Sequence, residues 1–155
     1  MRILLPLVCA FALIAQTPTP NGAAINPPWT SGDVIQVPDL VKIVAAKGAN
    51  SPAIFQVGFE KLYTTQHVPG SIYAGPGRTD AGLDNLKKAV AGVAKDRTIV
   101  LYCGCCPWDH CPNMKPAFAL LHSLGYTRIK VVEIPKSFGE DWAAKGYAVE
   151  GSGAK

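Results

Sequence analysis

Apolar residues recur at helical spacing in three long stretches, and short β-branched runs stand between them. A strand over Val34 to Val37 opens the pattern. Pro38 then takes a good first helical position for PDLVKIVAAKG, where Leu40, Val41, Val44 and Ala45 share a face and Gly48 stands as the C-cap. Ala53 to Val57 predicts a second strand, followed by an amphipathic turn around Phe59 to Tyr63 and, after a loop, a short strand at Ile72 and Tyr73. TDAGLDNLKKAVAGVAK predicts a helix capped by Thr79 or Asp80, with Leu83, Leu86, Val90 and Val93 on its inner face. Thr98 to Tyr102 is a strand, PAFALLHSLGY a helix ended by Gly125, Ile129 to Ile134 a further strand, and Phe138 to Lys145 a closing amphipathic segment. Strands alternating with helices define an α/β fold, a mostly parallel sheet with helices on both faces. No internal repeat is visible.

The two ends of the chain read differently. Arg2, an apolar core from Ile3 to Ile14 and then Ala15 have the layout of a secretory signal peptide, too short to span a bilayer. The alternatives are a retained hydrophobic anchor, which lacks a basic stop-transfer flank, and a lipid-anchored Cys9, which sits inside the apolar core rather than after it. Residues 16–32 are rich in Pro, Gly, Asn and Thr and predict a flexible linker. One domain over 33–150 and a tail over 151–155 complete the chain. The formal net charge of +4 is scattered, with no run of like charges, so neither nucleic acid nor stable membrane insertion after signal removal is expected. Removal of the signal takes Cys9 away and leaves an even set of four cysteines in an exported, periplasmic or secreted protein.

Those four, Cys103, Cys105, Cys106 and Cys111, share one loop between the Thr98 to Tyr102 strand and the next helix. Cys103, at a strand end facing a helix N-terminus, is placed for a lowered pKa, and its thiolate is a nucleophile. The plainer alternative is an inert cysteine under the helix. Cys105, Cys106 and Cys111 can resolve a modified Cys103 by forming a disulfide, bind a soft metal, or cross-link the loop. No metal or cofactor is expected in the leading reading, since adjacent Cys105 and Cys106 do not easily serve one ion together with Cys103, although His110 can stand in for one of them. A Cys106 with Cys111 disulfide would brace the loop and leave Cys103 with Cys105 as a redox couple, but four cysteines allow three pairings. Pro107, Trp108 and Pro112 stiffen the loop, and Trp108 either walls a pocket or simply packs. Asp109 and His110 are proton-transfer candidates or solvated loop-tip residues, and His67 belongs to its turn.

Blocks of the chain in this order resemble the rhodanese-like family: AIFQVGFEKLYTTQHVPGSIYAG, TIVLYC with its loop, LHSLGYTRIKVVE and FGEDWAAKGYAVE. The family's His-[IV]-Pro-Gly-[AS] signature is matched by His67, Val68, Pro69, Gly70 and Ser71. The resemblance implies a five-stranded sheet whose central strand ends in a catalytic cysteine, here Cys103. It also implies transfer of sulfane sulfur from a small donor to a thiol or cyanide-like acceptor through a cysteine persulfide. The family includes phosphatases and silent regulatory domains as well, so whether the chain is an active sulfurtransferase stays open. Gln56 and Gly58 stand where the family places an Asp and an Arg, and the loop is about five residues longer, with Asn113 where an Arg precedes the helix. Lys115 and Arg78 are the nearest cations to bind an anionic donor in place of that Arg, with Trp108 and Asn113 as further substrate contacts. The expected function is sulfane-sulfur carriage on Cys103. The alternatives are a non-enzymatic module that binds a soft metal ion or a partner through loop 103–112, and a thiol-disulfide redox protein on the same scaffold.

Overall fold

A computed structural model describes residues 27–154 except positions 47 and 49. The segments expected as signal peptide, with Cys9, and most of the expected linker lie outside the described residues. Five parallel strands form one sheet: β1 (Val34–Gln36), β2 (Ala53–Gln56), β3 (Ile72–Tyr73), β4 (Ile99–Tyr102) and β5 (Ile129–Glu133), in the order β1-β5-β4-β2-β3. The helices are α1 (Val37–Ala46), α2 (Glu60–Thr65), α3 (Asp80–Ala89), α4 (Met114–Ser123) and α5 (Phe138–Asp141). The fold is therefore the α/β architecture expected from the alternating pattern.

β4 lies at the centre of the sheet, buried at every residue, with Ile99 opposite Ala53 on one side and Ile129 on the other. Side chains alternate across a strand, and β4 shows the consequence. Ile99 and Leu101 pack with Leu86, Ala117, Phe118 and Leu121 on the α3–α4 face, whereas Val100 and Tyr102 pack with Leu40, Phe138 and Trp142 on the other. The next residue in the alternation is Cys103, which joins the α3–α4 face. The Tyr102 hydroxyl accepts the Val68 N–H at 3.1 Å and meets Ser71 Oγ at 2.9 Å, so the His67–Ser71 turn is fastened to the central strand from behind the site.

Three boundaries differ from the sequence reading. α3 stops at Ala89 because the Tyr126 hydroxyl, with Val90 already buried, takes the Val90 carbonyl at 2.5 Å and the Val93 carbonyl at 3.3 Å. α4 begins at Met114, two residues ahead of Pro116, which a first turn accommodates because its N–H groups have no intrahelical partners. Gly48 follows the end of α1 and its N–H donates to Ser51 Oγ at 2.9 Å rather than to a helix carbonyl, whereas Gly125, at φ 83°, is a left-handed cap. Among the described residues no helix is long and apolar enough to cross a membrane.

Candidate functional site

The chain leaves β4 at Cys103 and turns sharply at Gly104, whose φ of 70° is a left-handed conformation that glycine adopts without strain. A Cβ there would stand 2.7 Å from Phe138 Cβ, so the position admits no side chain. The Phe138 N–H donates to the Gly104 carbonyl at 2.9 Å and pins the turn beneath α5. Cys105 and Cys106 follow in a bend, and a 3-10 turn over Trp108–His110 is tied down by the Trp108 N–H to the Pro135 carbonyl at 3.3 Å. The loop returns through Cys111 and Pro112 to Asn113, the residue that opens α4.

The four sulfurs converge: every pair of Sγ atoms lies within 4.8 Å. Cys103 and Cys105 are 2.9 Å apart and Cys105 and Cys106 3.4 Å, all four as free thiols. Asn113 is fully buried and holds this cluster from below. Its Oδ1 accepts the Arg78 N–H at 3.1 Å, while its Nδ2 donates to Cys103 Sγ at 3.4 Å and Cys105 Sγ at 3.5 Å.

The lowered pKa expected at Cys103 falls elsewhere in the loop. Hydrogen bonds to Cys105 and Cys111, and then burial, push the Cys103 thiol well up. Hydrogen bonds from Cys103 and Cys105 hold Cys111 down at about 4, against its own burial and with help from the Asn113 N–H. The neighbouring S–H groups thus favour ionisation at Cys111, and a second ionisation beside it is opposed by charge repulsion. The sequence reading aimed the backbone N–H groups at Cys103, whereas the long loop brings Cys111 to the start of α4.

On the β2 side the wall is neutral. Gln56 is 1% exposed and its Nε2 donates to the Cys103 carbonyl at 3.3 Å, while its Oε1 has no partner. Gly58 touches the same group: a Cβ there would lie 2.7 Å from Gln56 Nε2 and 3.1 Å from Cys103 Sγ. Arg78 contributes its backbone N–H, and its guanidinium lies 5.3 Å over the Phe59 ring. Asp109 and His110 are exposed, and His67 is built into its turn, stacked on Tyr63 at 3.9 Å with Nδ1 2.6 Å from the Tyr63 carbonyl.

Access comes from the loop's outer side. A cavity of about 210 Å³ is lined by Pro27, Trp29, Trp108, Cys111, Met114 and Lys115, with Asp109 at its edge. Trp108 and Lys115, both named from the sequence, meet Cys111 there. Trp29 was not anticipated, because it stands in the Pro-rich stretch read as linker. It packs against Trp108 at 5.5 Å and edge-on to Phe118 at 5.6 Å, and a lone tryptophan in a polar segment was the signal that could have marked it.

A parallel sheet whose central strand runs into a cysteine-rich loop ahead of a helix defines an α/β fold with the thiol cluster at the carboxyl end of that strand. The family model for the rhodanese-like domain matches residues 40–134, and the chain belongs to the rhodanese-like domain family. Its fold is similar to that of the BH2092 protein from Bacillus halodurans, at 22% identity and TM-score 0.59 over 77% of each chain. It is also similar to the Alr3790 protein from Anabaena sp., at 20% identity and TM-score 0.57 over 76% of this chain and 82% of that one. A solution structure of the rhodanese-like domain of Alr3790 matches at 20% identity and TM-score 0.56, over 78% and 80% of the two chains. No curated protein matches the chain.

Proposed function

We propose that this rhodanese-like domain carries sulfane sulfur as a persulfide on Cys103, loaded through Cys111, for transfer to a small thiol or cyanide-like acceptor. The observation that supports it is the convergence of four thiols at the end of the central strand, with Cys111, whose pKa its neighbours hold down, lining the cavity. The Cys111 thiolate attacks the outer sulfur of a donor such as thiosulfate. A Cys111 S–S bond forms, the donor's S–S bond breaks, and sulfite leaves with the electron pair. The Cys103 sulfur then attacks the outer sulfur of the Cys111 persulfide. The Cys111 S–S bond breaks, the thiolate returns to Cys111, and the Cys103 proton ends on the new persulfide. Nothing is oxidised overall: Cys103 gives its proton to the outer sulfur of the Cys111 persulfide and attacks that sulfur as the thiolate.

The test is the location of the added sulfur by peptide mass spectrometry after thiosulfate. The expectation is Cys103 in the wild type and Cys111 in Cys103→Ser, with slow loading in Cys111→Ser. Absence of added sulfur from all of these proteins, or its retention when Cys103 and Cys111 are both replaced, would overturn the proposal. A thiol-disulfide couple is the second reading, favoured by the 2.9 Å separation of Cys103 and Cys105; a mass lower by two protons after a mild disulfide oxidant, mapped to that pair, would support it.

A further inference from the structure

The geometry points to a four-thiolate site for a thiophilic d¹⁰ cation, Zn²⁺ or Cu⁺, formed by Cys103, Cys105, Cys106 and Cys111 with Asn113 as the positioning residue. Adjacent cysteines seemed unsuited to a shared ion from sequence alone, but the bend after Gly104 removes that objection. It brings Cys105 and Cys106 Sγ to 3.4 Å, and all four sulfurs fall within 4.8 Å. Metal–sulfur bonds of about 2.3 Å place the sulfurs of a tetrahedral thiolate site about 3.8 Å apart, a value inside the observed range.

A second observation is independent of the sulfurs' separation. N–H groups converge on the cluster: Asn113 Nδ2 donates to Cys103 and Cys105, and the Asn113 N–H to Cys111. Thiolates are far better acceptors of such bonds than thiols, and like-charged thiolates persist together in a buried site only around a cation. The donor set also selects the ion. Among the described residues the convergent group is sulfur alone, which disfavours the hard cations Mg²⁺ and Ca²⁺ and favours soft ones. Asn113 is held in turn by the Arg78 N–H, so the outer support that orients ligands is present as well.

Occupancy of this site does not require sulfur carriage, and the experiment separates the two. The full chain, reduced and freed of metal under anaerobic conditions, is given one equivalent of Zn²⁺ or of Cu⁺ and passed over a competing chelator. The cysteines are then alkylated and mapped. One equivalent of at least one ion should be retained, with at least three of the four cysteines protected, and the ion retained names the site. With Co²⁺ in place of Zn²⁺ the absorption spectrum should show tetrahedral thiolate ligation. Cys106→Ser should lose Zn²⁺ or Co²⁺ affinity by at least tenfold. Asn113→Asp, which keeps the acceptor for Arg78 and removes the donor, should lower affinity by about 10- to 100-fold and shift the Co²⁺ charge-transfer band. Retention of neither ion, or protection of two cysteines or fewer, overturns the site. Sulfur loading in the same preparation is read separately and bears only on the carriage proposal.

Discussion

At Asn113 both ends of one amide are committed, the oxygen to the Arg78 N–H and the nitrogen to two sulfurs, which makes the residue a sensitive probe of the thiol cluster. Asp at this position replaces the N–H donor with a carboxylate oxygen facing the sulfurs, and a like charge there opposes a thiolate in the cluster. Asn113→Asp should therefore slow sulfur loading by at least tenfold, measured as single-turnover uptake from thiosulfate, while the circular dichroism spectrum stays that of the wild type. Cys111 offers a second reading at this scale. Its thiol is held at about 4, so alkylation of Cys111 should be nearly independent of pH from about 5 to 8 and collapse near 4, whereas Cys103 should stay slow throughout. A pH–rate profile mapped by peptide mass spectrometry checks both. Gly58 marks how tightly the wall is drawn. A methyl group 2.7 Å from Gln56 Nε2 and 3.1 Å from Cys103 Sγ needs one of them to move, and Gly58→Ala should cost about 1–3 kcal/mol in denaturant unfolding.

The strand, loop and helix from Ile99 to Ser123 show where sequence patterns inform and where they stop. β4 was legible because four consecutive apolar residues buried on both faces leave no other reading at a parallel sheet's centre, and the resemblance placed Cys103 at its end. The loop's interior was not legible. Nothing in the spacing C-x-C-C-x4-C fixes the left-handed turn at Gly104, and without that turn the direction of three sulfurs is undetermined. The start of α4 at Met114 was hidden by Pro116, which looks like a first residue and is in fact two positions inside. These two features together transfer the expected thiolate from Cys103 to Cys111. The packing of Trp29 on Trp108 joins this element to the stretch ahead of β1. Trp29→Ala should raise the alkylation rate of Cys111 severalfold at pH 7, with a smaller change at Cys103, because it removes one wall of the cavity that Cys111 lines.

For the whole molecule, the thiol cluster makes stability depend on pH in two opposite directions. Cys111 has a depressed pKa in the folded state, so its contribution is complete above the unfolded thiol pKa of about 8.5 and is lost as pH falls toward about 4. Cys103 has a raised one, so its contribution is complete below about 8.5 and is lost as pH rises beyond it. Thermal unfolding of the reduced, metal-free protein should thus show a midpoint that climbs from about pH 5 to 8 and falls above about 9. Cys111→Ser should flatten the rise, and Cys103→Ser should remove the fall. Export remains an expectation of the sequence, and N-terminal sequencing of the exported fraction should find a mature start between Gln16 and Ala24. The seating of Trp29 has a practical consequence for anyone producing the protein. Pro27 and Trp29 line the cavity that Cys111 borders, so an affinity tag or fusion partner joined just ahead of Pro27 is attached next to that cavity. Cys111 alkylation measured on such a fusion before and after cleaving the tag should be slower with the tag in place.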